Sequence, residues 1–596
     1  MTRVIVVGGG VGGLTVAHEL AERGFEVHVY DAREAWGGKA RSQPVAGTGT
    51  HGRRDLPGEH GFRFYPRFYR HVIDTMARTP IPGAAGRTVD SRLRPCAEAA
   101  VAMVDDDTLS RFRRRSVARP YELLEALQLF FQDFAFDTPD VGMFGLKLMQ
   151  FATSCDERRL GQYEQMSWWD YLEGERYSDR FRSLLKAGPR LLVAMDSKQG
   201  NARVNGTITI QLVLDFASGG ADNDRTMGGP TTEMWIDPWT AHLRSLGVQF
   251  HPGETCTGLG VADGRIAGAR FASGAVATGD HYVLAVPIEA AHALMSADLA
   301  ALDPQCERLR TADVDRLVSW MVGMQFYLYE DVPLVRGHVA FPNSRWSLTA
   351  ISQPQFWRET VGLFRRHYGD GEVGGLLSVD ISDWGTEGMF VGKTARECTP
   401  DEIKTEVWGQ LKAALNGRGP DQQLLTDDLL HSWHLDSDLD YSNGVPPRNS
   451  SRLLIHPPGA WALRPEAASA VPNLCFASDY VRTHTDLASM EGACEAGRRA
   501  ANAILDRAAS TASRAGVWPL EEPREFDEWK RLDARLYAEG KPHCFEAAGL
   551  RRAFDAADLF RRFTASTGIA RLEDFLGEFK LTHVVDGLLS RLGIGK

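Results

Sequence analysis

The chain opens on a short β-branched apolar run, Arg3-Val4-Ile5-Val6-Val7. It reads as a buried parallel strand, since nothing polar interrupts it. Residues 8–13 are rich in glycine, residues 14–23 carry apolar positions at helical spacing, and Gly24 supplies a stop. Residues 26–30, Glu-Val-His-Val-Tyr, read as a second strand, so the opening is a strand–helix–strand unit. Apolar-rich stretches over 121–152 predict two helices broken near Thr138-Pro139. Residues 247–286 predict a set of strands that ends on Tyr282-Val283-Leu284-Ala285-Val286-Pro287. A helix is expected over 402–414, a strand over 474–478 and a helix over 489–507. Residues 507–516, rich in Ala, Ser, Thr, Arg and Gly, predict a linker. In the helical tail beyond it, Leu572, Phe575, Leu576, Phe579, Val584, Val585, Leu588, Leu589 and Leu592 approximate a 3.6-residue period. That helix is expected to pack back on the body, with a membrane-surface or partner-binding role as the alternative.

The bulk properties narrow the function classes. The 596 residues allow several domains or one large interleaved unit. A net charge of −11 argues against nucleic acid as a main partner, because phosphate binding needs a basic surface. The run Arg111, Arg113, Arg114, Arg115 is a local exception that reads as a solvated face. Eight cysteines without a C-x-x-C pair or zinc spacing suggest a reducing compartment and no disulfide framework. No signal peptide and no spanning helix are recognised, so the expected location is cytoplasmic, with peripheral membrane contact as a variant.

Chemistry enters at the first loop. Gly8, Gly10 and Gly13 fill G-x-G-x-x-G, with Gly12 between the last two. The first glycine allows a tight turn, the second lets backbone approach a pyrophosphate, and the third lets the helix pack close to the sheet. The helix start then offers free N–H groups to phosphate oxygens. Asp31 ends the second strand, 23 positions after Gly8, where a carboxylate meets ribose hydroxyls. The motif lies between a strand and a helix, so it predicts a dinucleotide site on an α/β fold. Just beyond come Trp36-Gly37-Gly38-Lys39-Ala40-Arg41. This second glycine pair with its basic residues suits a further approach to the pyrophosphate that a plain NAD site does not need.

These residues resemble the amine oxidase and carotenoid desaturase superfamily of flavoenzymes. The segment Glu59-His60-Gly61-Phe62-Arg63-Phe64 is similar to one that runs past the flavin in plant-type carotene desaturases. The C-terminal Ala477-Ser478-Asp479-Tyr480 and Leu487-Ala488-Ser489-Met490-Glu491-Gly492-Ala493 resemble the flavin segment of phytoene and ζ-carotene desaturases. The resemblance covers residues 3–508 and implies FAD as cofactor. It implies that Asp479 bonds the ribityl or pyrophosphate region. It places Ser489 and Met490 at a helix start beside the isoalloxazine, where partial positive charge favours the reduced anion. Cys256 and Val286-Pro287 match the family pattern. The implied architecture is a discontinuous Rossmann-like FAD domain (1–90, 240–290 and 470–508) interleaved with an α+β substrate domain (91–239 and 291–469), followed by a helical extension over 509–596. The sequence departs from the pattern at Arg63, where those desaturases carry histidine, and lacks an aromatic residue before Leu487.

Flavin dehydrogenation proceeds by hydride transfer and needs few side chains. The candidate acid/base groups are His60, Arg63 and the His431-Ser432-Trp433-His434-Leu435-Asp436 stretch, with His434 foremost. His431 and His434 would face one way on a helix, but without further ligands no metal site is expected. The expected substrate is an apolar polyene, isoprenoid or lipid, with oxygen or a quinone as electron acceptor. Three readings stay open beside it. They are an oxidase of amines or small natural-product intermediates, an FAD-dependent isomerase or dehydroxylase without net redox change, and a non-enzymatic protein on a relict flavin fold.

Overall fold

The computed structural model describes residues 1–104, 109–113, 138–218, 224–417 and 423–546. The predicted tail helix over 572–592, and the first of the two helices expected within 121–152, lie outside the described residues.

The opening strand β1 (Arg3–Val7) leads through the glycines into α1 (Val11–Ala21) and then β2 (Glu26–Tyr30). Helix α1 ends where Gly24 takes up a left-handed backbone with φ of +80°. Strand β1 lies at the centre of a five-stranded parallel sheet. On one side it pairs with β2 and then Gln249–His251, and on the other with His281–Leu284 and then Leu474–Phe476. Helices α1 and Met490–Arg507 pack against each other, with Ala496, Ala500 and Ala501 buried in the contact layer. Small side chains there let the two helices approach closely. A three-stranded antiparallel sheet (Cys256–Ala262, Arg265–Phe271 and Val276–Ala277) is inserted between strands of the parallel one.

The second body is a seven-stranded sheet. Its order is Leu430–Leu435, Val322–Leu328, Gly375–Ile381, Leu348–Ser352, Val339–Phe341, Glu98–Ala102 and Leu109–Arg113. All neighbours are antiparallel except Val339–Phe341 with Glu98–Ala102. Three of its strands (Val322–Leu328, Leu348–Ser352 and Gly375–Ile381) are buried at every position. One face is covered by the helix Pro400–Leu415, whose Trp408 ring meets Phe326 at 5.0 Å between centroids. The helices Thr138–Thr153, Trp168–Leu172, Asp179–Val193 and Ala202–Ser218 form a third, aromatic-rich layer. No helix among the described residues is long and apolar enough to cross a membrane.

Two local expectations change. The arginine run begins on an edge strand, Leu109–Arg113, instead of a helix or loop. His431 and His434 lie on the strand Leu430–Leu435, so they do not share a face as they would on a helix. His431 reaches outward to Asp370 at 2.9 Å, while His434 packs against Gly58.

A segment beyond the expected linker, Asp527–Ala538, packs on the helical layer, whereas the predicted tail helix lies outside the described residues. Asp533, in the helix Asp527–Ala538, is fully buried and receives Arg158 Nε at 2.9 Å and the Cys155 N–H at 2.9 Å. Removing one partner strands a buried charge, which costs about 3–5 kcal/mol. Asp533→Ala should therefore lower the unfolding free energy measured by urea denaturation by that amount. A change below about 1 kcal/mol would mean this contact does not hold the segment in place.

Candidate functional site

Each parallel strand delivers its C-terminal end to one cavity of about 1340 Å³. Val7 and Gly8 follow β1, Asp31 follows β2, Thr255 and Cys256 follow Gln249–His251, Ala285 and Val286 follow His281–Leu284, and Ser478 and Asp479 follow Leu474–Phe476. This is where open α/β sheets bind ligands.

The glycines there are set by contact distance. A Cβ on Gly12 would lie 2.0 Å from the Ala477 carbonyl oxygen, and one on Gly13 would lie 1.9 Å from that of Gly8. Gly8 itself has φ of +109° and sits against the Ala285 carbonyl. Gly10 differs, since a Cβ there would meet only Gly38 Cα at 3.8 Å. Its open side belongs to the cavity, as expected of the position that a pyrophosphate approaches. The second pair, Gly37 and Gly38, crosses this loop at backbone contact: the Gly37 N–H donates to the Gly9 carbonyl at 2.9 Å, and both residues have positive φ. Asp31 is held by the N–H groups of Gly9 at 2.7 Å and Arg33 at 2.8 Å. The free amide ends of α1 and of Met490–Arg507 converge on the same space, the latter capped by Ser489 Oγ accepting from the Gly492 N–H at 3.1 Å.

A model of the family described as flavin containing amine oxidoreductase matches residues 11–505. The chain belongs to that family. It is an FAD-dependent oxidoreductase. Among solved structures, it is similar to cyclohexylamine oxidase from Brevibacterium oxydans at 16% identity, TM-score 0.56, over 85% of this chain and 99% of that one. It is similar to putrescine oxidase bound to putrescine at 14% identity, TM-score 0.56, with the same coverages of 85% and 99%. An oxidoreductase from Methanosarcina mazei aligns at 12% identity, TM-score 0.54, over 85% of this chain and 100% of its own. These likenesses show the fold. Among curated proteins, a carotenoid phi-ring synthase of Chlorobaculum tepidum is 37% identical over 68 residues, 11% of this chain. The chain thus spans about a tenth, 10%, of that relative's length.

The flavoenzyme's cavity gathers most of the residues singled out in the sequence. Gly8, Gly10, Gly12, Asp31, Gly37, Gly38, Lys39, His60, Gly61, Phe62, Arg63, Cys256, Asp479, Ser489 and Met490 all line it. Three do not. Gly13 serves the packing of α1 on the loop. Arg41 turns away, donating to Asp438 Oδ1 at 2.6 Å and to the Gly38 carbonyl at 2.8 Å, so it braces the glycine turn from behind. His434 is half-buried beside Gly58, and loss of solvent there holds its pKa below the usual histidine value although Asp436 opposes this.

Of the acid/base candidates, Arg63 is engaged by Glu59 Oε2 at 3.3 Å and by the Lys39 carbonyl at 3.1 Å. His60 Nδ1 is hydrogen-bonded to Asp436. Burial alone would raise Asp436, but the charge and hydrogen bond of His60 outweigh it and leave the carboxyl below its ordinary range. The sequence reading missed Asp380, a cavity-lining carboxylic acid whose pKa burial pushes up to about 8. Its signal was an aspartate inside the largely apolar run Gly375-Leu376-Leu377-Ser378-Val379-Asp380-Ile381. It also missed His338, which lines the cavity, contacts the Phe62 ring at 4.9 Å and pairs with Asp224 at 3.3 Å.

The glycine distances make a direct test. Gly10→Ala should leave the apoprotein's thermal midpoint nearly unchanged and weaken FAD binding at least about tenfold, about 1.4 kcal/mol, because its methyl projects into the cradle. Gly12→Ala should instead destabilise the fold itself. Calorimetry and flavin titration of both variants check this. An unaltered FAD affinity in Gly10→Ala would remove the first loop from the cofactor site.

Proposed function

We propose that this flavoenzyme is a desaturase or dehydrogenase that oxidises C–H bonds of an apolar substrate, a polyene, isoprenoid or other lipid. The observation that carries the reading is the wall opposite the glycine loops. There Phe144, Leu184, Leu185, Ile208, Leu212 and Val213 project from the helical layer into the cavity that the dinucleotide cradle shares. Burying apolar surface against such a wall contributes about 25 cal/mol per Å² and selects length and shape more than charge. The name of the Chlorobaculum tepidum relative, a carotenoid phi-ring synthase, supports the same substrate class.

When bound, FAD supplies hydride acceptance. The protein's part is to hold the cofactor, align the substrate and keep water out. The amide ends of α1 and Met490–Arg507 offer positive partial charge to phosphate and to reduced flavin. The apolar helices hold an extended chain and exclude water from the reacting bond. A second reading, oxidation of an amine, draws on Phe62, Phe64, Phe68 and Tyr69, aromatic residues that line the same cavity and offer faces to a cation.

Anaerobic mixing decides between them. The visible flavin band of the purified holoenzyme should bleach with polyenes carried in vesicles and stay unchanged with cyclohexylamine or putrescine. Bleaching by the amines alone would establish the second reading. Turnover of a polyene without lasting bleaching and without an acceptor would mean isomerisation in place of oxidation.

A further inference from the structure

The strand Gly375–Ile381 is buried along its whole length, so an aspartate within it needs a reason. Asp380 lies between Gly323 and Thr349 on the neighbouring strands. A Cβ on Gly323 would lie 2.5 Å from the carbonyl oxygens of Glu59 and of His60. Glycine at that position therefore lets the 59–62 segment cross the sheet at backbone contact. The crossing sets Gly61 directly on the carboxyl group, since a Cβ there would be 3.0 Å from Asp380 Oδ1. The Phe62 N–H donates to the same carboxyl. Asp380 is only 5% exposed and its Oδ1 has no hydrogen-bond partner among the described residues, yet the residue lines the cavity. Thr349, directly opposite it, also lines the cavity and its hydroxyl is likewise unpartnered. A buried carboxyl and a buried hydroxyl, both without partners among the described residues and both on residues that line the cavity, mark a place where a reacting group belongs.

We infer that Asp380 is the catalytic base that takes up the proton released when the substrate is desaturated. The inference rests on the desaturase reading. Making a C=C bond from two adjacent C–H bonds removes one hydride and one proton. The hydride, with its electron pair, is taken up by FAD. The electron pair of the second C–H bond becomes the π bond, and its proton passes to a carboxylate oxygen of Asp380. The substrate loses two electrons, the flavin gains two, and the neutral carboxyl returns its proton to solvent before the next turnover.

The groups around Asp380 set the pH at which it works. Burial raises its pKa most. Arg63, itself paired with Glu59, and the Phe62 N–H lower it, and Asp436 beside His60 raises it. On the sheet side Gly323 and Thr349 carry no charge. The balance at about 8 leaves the group mostly protonated at neutral pH. The basic form accumulates as pH rises through that value, so flavin reduction should accelerate up to about pH 8 and then level off.

The test compares wild type with Asp380→Asn as FAD-loaded full-length protein, using phosphatidylcholine vesicles carrying the linear polyene phytoene as the probe. Flavin reduction is followed by anaerobic stopped flow across the pH range. Infrared difference spectra report the carboxylic acid C=O band, and the flavin absorbance of the variant verifies that it folds and binds FAD. The expected result is a loss of at least about a hundredfold in reduction rate, a flat pH profile and disappearance of the titrating band. A variant that reduces its flavin as fast as wild type would overturn the role of Asp380 and leave the desaturase reading standing. A wild type whose flavin phytoene does not bleach, while an amine does, would overturn the desaturase reading and this inference with it.

Discussion

Everything at the site depends on how closely backbone meets backbone around the first loop. Helix α1 can sit on the parallel sheet only because Gly12 and Gly13 carry no side chain, with the Ala477 and Gly8 carbonyls at distances where a methyl would overlap. The same economy recurs where Gly37 and Gly38 cross Gly9 and Gly10. Three chain segments, 8–13, 37–38 and 477, thereby reach one point beside the free N–H groups that begin α1. A phosphate there would meet the amide dipoles of the fold together with Lys39, which also lines the cavity.

The second body uses the same device in a different place. Gly323 lets the 59–62 segment lie flat on the seven-stranded sheet, which joins the parallel sheet's glycine turns to the strand bearing Asp380. The His60–Asp436 contact and the Gln325 amide, which accepts from the Glu59 N–H at 3.2 Å and donates to the Glu59 carbonyl at 3.1 Å, pin that segment, and Arg63–Glu59 braces it internally. These contacts give the buried polar side chains of that segment their partners. What remains open toward the cavity is apolar helix on one wall and a small set of polar atoms on the other. Such a surface suits the long apolar molecule proposed as substrate, which a few contacts at its reacting end would orient.

The sequence revealed this architecture unevenly, for physical reasons. The β1–α1–β2 unit was legible because strand, glycine spacing and terminal carboxylate are all local and each has one mechanical purpose. The C-terminal helix was legible as an element, with Ser489 at its start, where the structure places the cap. His431 and His434 were misread for want of context, since spacing by three suits a helix, and only the pairing with Val322–Leu328 shows that the segment is a strand. Arg41 looked like a phosphate ligand beside Lys39, but Asp438, almost 400 positions away, claims it. Asp380 and His338 escaped notice for the same reason. An aspartate within an apolar strand run was the one local mark of Asp380, and its meaning arises only from the crossing with the distant 59–62 segment.

The proposed function requires one cavity to serve both the cofactor and an apolar substrate. A crystal structure of the FAD-loaded protein tests this. The pyrophosphate is expected between Gly10 and the start of α1, and the isoalloxazine beyond Ser489 with one face open to Leu185, Ile208 and Leu212. An isoalloxazine turned away from those three side chains, or separated from them by protein, would contradict it.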